Sequence, residues 1–183
     1  MATPPLCDFG WKAPDFSLKG VDGATHSLDS LRGAKGTVIV FMCQHCPYVK
    51  AILDPLIADA AALRALGVNT IGINANDAVA YPEDSFENMV RMAEAKRLSF
   101  PYLHDETQGV ARAYDAICTP DFFGFNSNLE LQYRGRLDAS RTSPVPGARR
   151  DLLEAMTGVA ETGRGPAEQI ASMGCTIKWK SAA

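Results

Sequence analysis

Residues 37–56, TVIVFMCQHCPYVKAILDPL, decide the fold class. Thr37 to Cys43 is an unbroken β-branched and aromatic run, the pattern of a strand buried on both faces of a sheet. Helical spacing follows at once. Val49, Ile52, Leu53, Leu56, Ala60 and Leu63 share a face, Pro47 suits a first turn, and Gly67 stands as a stop. Pro55 is expected to kink this helix, because it removes an interior backbone donor. A second apolar run, VNTIGIN over 68–74, restores a buried strand. Strand, helix, strand predicts a parallel pair joined by a right-handed crossover, and therefore an α/β fold.

Working outward, PDFSLKGVDGATHSL alternates around Asp22-Gly23, a dipeptide that favours the turn of a β-hairpin. Residues 1–12 show little periodicity and are expected to form a loosely ordered arm. On the other side, Asp84 and Glu87 fit a capping box at the start of SFENMVRMAEAKRL, where Phe86, Met89, Val90 and Ala93 share a face. A short helix is expected over Gln108 to Tyr114. Cys118-Thr119-Pro120 then precedes DFFGFN, and Asn126 to Asn128 turns the chain into LELQYRG, an antiparallel hairpin. A last helix is expected from about Gly147 to Glu161, with the remaining residues folded over the domain as a tail.

The chain has 183 residues, the length of one domain, and divides into the arm 1–12, a core 13–161 and the tail 162–183. Hydrophobic residues at 46% and charged ones at 21% are an ordinary globular composition. Eighteen basic against twenty-one acidic side chains, with no block of like charge, argue against nucleic acid or an anionic membrane as partner. No apolar run reaches the roughly 18 residues of a membrane span. The start, MATPPLCDFGWKAPDF, lacks the basic and apolar regions of a secretory signal, so a cytoplasmic location is expected.

Five cysteines, Cys7, Cys43, Cys46, Cys118 and Cys175, exceed what a core of this size needs for stability. Cys43-Gln44-His45-Cys46-Pro47 lies where a buried strand gives way to a helix. There a thiol meets unpaired backbone donors and the positive end of the helix dipole, both of which favour thiolate. A free thiol of pKa ~8.5 is only about 3% ionised at pH 7, and lowering it by ~2 units takes about 2.7 kcal/mol of differential stabilisation. Two intervening residues bring the sulfurs within bonding range, so one attacks a disulfide and the other resolves the mixed disulfide. Cys43 is expected at the cap and more exposed, Cys46 in the first turn and more covered. A protonated His45 between them would stabilise thiolate and make the pair more oxidising. No second Cys/His pair follows at zinc-ribbon spacing, so no metal site is assigned. Thr119-Pro120 by itself supports only a turn or strand entry.

Strand, CxxCP, helix, strand and a later Thr-Pro before a hairpin and final helix resemble the thioredoxin superfamily over residues 13–161. APDFSLKGVDGATHSLDSLRG, the long insertion between Cys46 and Pro120, FMCQHCPYVKAI and the tail GCTIKWK resemble its peroxiredoxin-like, AhpC/TSA-type branch. The resemblance implies a thioredoxin fold, a central mixed sheet flanked by helices, with a peroxiredoxin-like N-terminal hairpin. It implies that Pro120 is a cis-proline facing the sulfurs and that Thr119 offers backbone hydrogen bonds to a bound chain.

Two departures limit what carries over. Peroxiredoxins keep Pro-x-x-x-Thr-x-x-Cys; aligned on Cys46, Cys43 stands for the threonine and Ile39 for the proline, and no arginine is placed in the activating role, although Arg141 is available. Thioredoxins keep a buried acid before CxxC, and TVIVFM has none, leaving proton transfer to water, His45 or another group. The expected activity is thiol-disulfide exchange, with Cys43 as nucleophile, Cys46 resolving, His45 tuning the potential and Thr119-Pro120 shaping the groove. It needs no organic cofactor. Its partners are a protein or small-molecule disulfide and a dithiol reductant such as thioredoxin or glutathione. Thiol peroxidase is the alternative, with Cys46 or Cys43 peroxidatic and Cys43 or Cys175 resolving. The separation of Cys175 from Cys46 is similar to that of the two cysteines in typical two-cysteine peroxiredoxins. A third reading is Cu or Zn binding without catalysis by Cys43, His45, Cys46 and Cys118. Cys118 is open between a third redox thiol, a metal ligand and packing.

Overall fold

In the computed structural model, which describes residues 1–181, the apolar run before the CxxC lies near the middle of a seven-stranded sheet. The predicted hairpin forms from β1 (Ser17–Gly20) and β2 (Thr25–Ser27), with Ser17 opposite Ser27 and Gly23 at φ 84° in the turn. A short helix α1 (Leu28–Leu31), capped by Ser27, leads to β3 (Gly36–Phe41), α2 (Pro47–Ala65) and β4 (Val68–Asn74). β3 and β4 pair in parallel over their length, Gly36 opposite Val68, as the crossover argument requires. Next come α3 (Phe86–Lys96), β5 (Tyr102–His104), α4 (Gly109–Ala113), the two-residue β6 (Cys118–Thr119), β7 (Asp121–Asn126) and β8 (Leu131–Tyr133). α5 (Asp151–Thr162) and β9 (Cys175–Thr176) complete the chain.

The sheet runs β2-β1-β5-β4-β3-β7-β8, mixed in direction, while β6 and β9 make a separate antiparallel pair. The pleat of β3 sorts its side chains between two apolar layers. Val38 and Val40 face α2 and α5 through Leu56, Leu63, Leu152 and Met156; Ile39 and Phe41 face Ile71, Phe123, Phe125 and Tyr114. A strand covered on both sides is why its sequence is apolar without alternation. No helix among the described residues is long and apolar enough to cross a membrane.

Three expectations change. The arm is fastened: Gly10 N–H donates to Leu131 O, Leu131 N–H to Trp11 O, and the Trp11 ring packs edge-on against Tyr114 at 5.6 Å. Burial of that indole against the sheet outweighs the weak local propensity of residues 1–12. α3 is capped by Ser85, whose side chain accepts from Asn88 N–H, not by Asp84. α5 begins at Asp151, four residues later than expected.

Candidate active site

β3 delivers the chain to Met42 and Cys43, Gln44 and His45 make the turn, and α2 starts at Pro47 with Cys46 as its N-cap. Cys46, not Cys43, therefore occupies the cap. Exposure also differs from expectation, since Cys43 is 1% and Cys46 0% accessible. A clamp under the turn holds Gln44 and His45.

That clamp is Asp84, a residue sequence reasoning assigned to a helix cap. It ends a 3-10 turn over Pro82–Asp84, is fully buried, and its carboxylate collects four donors. Oδ1 accepts from Gln44 N–H at 2.9 Å and His45 N–H at 3.4 Å; Oδ2 contacts His45 Nδ1 at 2.5 Å and accepts from Asn76 Nδ2 at 2.8 Å. Asn74 Nδ2 donates to the Asp84 carbonyl at 3.0 Å, so the end of β4 fixes the clamp. The His45 ring stacks on Tyr81 at 5.7 Å. A buried acid, absent from TVIVFM, thus lies beneath the turn, contributed by the segment after β4. Nothing in a Pro-Glu-Asp run before a helix distinguishes this role from capping.

Both sulfurs of the pair converge on Thr119. Cys43 Sγ lies 3.4 Å from Thr119 Oγ1, and Cys46 Sγ 3.1 Å from the Thr119 carbonyl; the Thr119–Pro120 peptide is cis, as the resemblance implied. The other edge of Thr119 is taken by the chain's own tail, because β9 places Cys175 opposite Thr119 and Thr176 opposite Cys118. Ser172 Oγ donates to Pro120 O at 3.0 Å, and Ile177 N–H to Ile117 O at 3.1 Å. Gly174 lies backbone to backbone on Thr119, where a Cβ would fall 2.1 Å from the carbonyl oxygen.

These surroundings polarise the pair. The Cys43 thiol, donating to Cys46, holds the Cys46 thiol below its ordinary value against the opposing effect of burial; Cys175, the Val49 N–H and Thr119 reinforce this. The approach of Cys46 Sγ to the Thr119 carbonyl is the one contact that favours the protonated form. Cys43 moves the opposite way, raised by its hydrogen bond to Cys46, by burial and by the Asp84 carboxylate. Cys175 is raised by burial and by Cys46. Cys118 is buried, its Sγ 3.4 Å from Pro120 O; burial and Asp121 hold it as a thiol. Cys7 is half-buried beside Gln169 and Arg134 and pushed up to about 11 by burial.

Cys43, His45 and Asp84 lie with donor atoms within 4.8 Å of one another, while Cys46 and Cys118 are not in that group. Asp84 already accepts from four protein N–H groups, so a cation there would have to displace hydrogen bonds that form the turn. Arg141 is exposed and lines a cleft with Tyr48, Pro120 and Met173; among the described residues no arginine hydrogen-bonds either sulfur of the pair.

A cysteine pair capping the helix after a central strand, opposed by a cis-proline loop, is a redoxin arrangement, and the AhpC/TSA family matches over residues 9–136. The chain belongs to the AhpC/TSA family. This AhpC/TSA member is similar over 100% of its length to an uncharacterized conserved protein from Geobacillus kaustophilus, with 44% identity, TM-score 0.93 and 97% of that chain covered. It is 33% identical to a hypothetical protein from Sinorhizobium meliloti 1021, with TM-score 0.91 and 98% of each chain covered. A secreted Mycobacterium tuberculosis disulfide oxidoreductase shares the fold at TM-score 0.60 and 20% identity, over 79% of this chain and 95% of that one. No curated protein matches. As AhpC/TSA redoxins, chains of this family are thiol oxidoreductases or peroxidases.

Proposed function

We propose that the protein is a thiol-disulfide oxidoreductase working through Cys43 and Cys46. The observation that carries this reading is geometric: Cys46 at the N-cap of α2 and Cys43, grouped with the buried Asp84, both reach Thr119 beside a cis-proline. This exchanges the roles expected from sequence. Cys46 attacks, because it caps α2, where the unpaired N–H groups of the first turn favour thiolate, and Cys43 resolves. In the reducing direction Cys46 thiolate attacks a disulfide sulfur, a mixed disulfide forms, and the first substrate thiolate leaves. Cys43 then attacks Cys46 Sγ, its proton passing to the second departing thiolate, and the Cys43–Cys46 disulfide remains. His45 spends its ring nitrogen on Asp84 and so positions the turn. Thr119 contacts both sulfurs and aligns them. The partners are small-molecule or protein disulfides and a dithiol reductant; a cytoplasmic location goes with them.

One observation favours thiol peroxidase as a second reading: Cys46 at the head of α2, with Cys175 opposite the Thr119 that Cys46 contacts, also suits sulfenate formation and resolution. The Cys43 in the threonine position and the lack of an arginine at the sulfur favour exchange. Stopped-flow oxidation of the reduced protein by glutathione disulfide and by hydrogen peroxide separates them. Exchange predicts a larger second-order rate constant with the disulfide; faster sulfenate formation with peroxide would overturn the assignment.

A further inference from the structure

We propose that Cys175 is the thiol through which the buried pair exchanges disulfides with molecules in solution, carried to Cys46 on a strand of the chain itself. The inference rests on the exchange reading above and puts Cys175 at the step where that reading has an outside sulfur meet Cys46 directly. Its starting point is access. Cys43 and Cys46 are 1% and 0% accessible, so neither meets a solute in this conformation, whereas Cys175 is partly exposed and lies opposite Thr119, whose carbonyl is 3.1 Å from Cys46 Sγ.

The tail that presents Cys175 is built in. Its strand pairs with Thr119, and Gly174 packs where no side chain fits. It is tied on both flanks: Ala2 N–H donates to Gly174 O at 3.0 Å, Lys178 N–H to Asn76 Oδ1 at 2.9 Å, and Gln108 Nε2 to Lys178 O at 2.9 Å. Because β9 fills the backbone edge of Thr119, an outside polypeptide is not laid there as a strand. The substrate class is one that reaches a single partly exposed cysteine: small thiols and disulfides, and protein thiols on flexible segments.

The relay balances as follows in the direction that oxidises an outside thiol. Cys175 attacks Cys46 Sγ; the Cys46–Cys175 bond forms, the Cys43–Cys46 bond breaks, and the proton from Cys175 goes to Cys43. An outside thiolate then attacks Cys175 Sγ and expels Cys46, which leaves readily because its thiolate is stabilised. A second outside thiol attacks the outside sulfur of this mixed disulfide and frees Cys175. Two outside thiols become one disulfide, the Cys43–Cys46 disulfide becomes two reduced cysteines, Cys175 regains a proton, and one proton is released to solvent.

The test uses oxidised full-length protein with reduced glutathione as the probe. Reactions are quenched by N-ethylmaleimide, the adduct is mapped by peptide mass spectrometry, and the rate of loss of the Cys43–Cys46 disulfide is measured. We expect glutathione on Cys175, and in Cys175→Ser a fall of about tenfold or more in the rate of reduction, since only the slow direct route remains. Glutathione mapped to Cys43 or Cys46 of the wild type, or wild-type rates in Cys175→Ser, would overturn the relay. The adduct map needs no variant, so it decides even if Cys175→Ser folds poorly. Equilibration of Cys175→Ser with glutathione buffers separates the two claims: a Cys43–Cys46 disulfide there keeps the exchange reading whatever the relay shows, and its absence removes the reading itself.

Discussion

Asp84 Oδ2 lies 2.5 Å from His45 Nδ1, inside the protein and directly beneath the turn that separates the two cysteines. The pairing directs the imidazole toward a carboxylate rather than toward sulfur. It leaves Cys43 beside a buried acid, which favours thiol, while Cys46 at the head of α2 takes the thiolate. Asp84 adds to the asymmetry of the site from 38 positions after the motif, where the motif itself does not show it.

Replacing Asp84 by Asn removes the charge and forces an amide N–H2 against existing donors. The expected stability loss is about 2–3 kcal/mol in urea unfolding, the range for breaking a buried charged hydrogen-bond group. In a Cys46→Ser background, the 240 nm thiolate absorbance of Cys43 should develop at lower pH when Asp84 is also Asn. An unchanged titration would show that the carboxylate does not act on Cys43.

Gly174→Ala places a methyl group against the Thr119 carbonyl, backbone on backbone. Overpacking of this kind costs about 1–3 kcal/mol, borne by the closed tail. Each 1.4 kcal/mol is worth about tenfold in the opening equilibrium, so alkylation of Cys46 by iodoacetamide should accelerate by at least about fivefold. A rate equal to wild type would mean the tail does not cover the pair.

Asp121 sits behind the Thr119-Pro120 loop, paired with Arg134 at 3.2 Å, and burial pushes its carboxyl up to about 6. A raised pKa means that the folded state holds the proton more tightly. This contribution is therefore full below the unfolded value near 4 and is lost as pH rises through about 6. Two pH units of difference correspond to about 2–3 kcal/mol. The stability of wild type relative to Asp121→Asn should fall by that order between pH 4 and 6.5 in urea titrations; a constant difference would contradict the shift.

The Cys43, His45, Asp84 group invites a test with metal. Because the Asp84 oxygens are occupied by four N–H donors, equimolar zinc added to reduced protein should leave the alkylation rate of Cys46 within about twofold. Stoichiometric protection of both thiols would instead support the metal-binding alternative.

The scaffold was legible because its signals are local and strong. A β-branched run such as Thr37 to Phe41, followed by helical spacing from Val49 to Leu63, admits one reading, and Asp22-Gly23 marks its hairpin. Thr119 and Cys175 were found as residues, but not their pairing, since a two-residue strand such as β9 carries no periodicity. The arm failed for a similar reason: Trp11 is held by Tyr114 and the sheet, contacts that no window of sequence contains. Asp84 was misread because an acid before a helix satisfies a local rule, and only the tertiary fold shows that Ser85 caps α3 and frees Asp84 for the site.

The most direct test of the exchange pair is equilibrium disulfide mapping across a series of glutathione redox buffers at pH 7, with acid quenching and peptide mass spectrometry. The account predicts one dominant disulfide, Cys43–Cys46, that appears and disappears reversibly with the buffer potential. A pair that stays alkylatable in fully oxidised glutathione, or a Cys46–Cys175 bond formed only after peroxide, would contradict it.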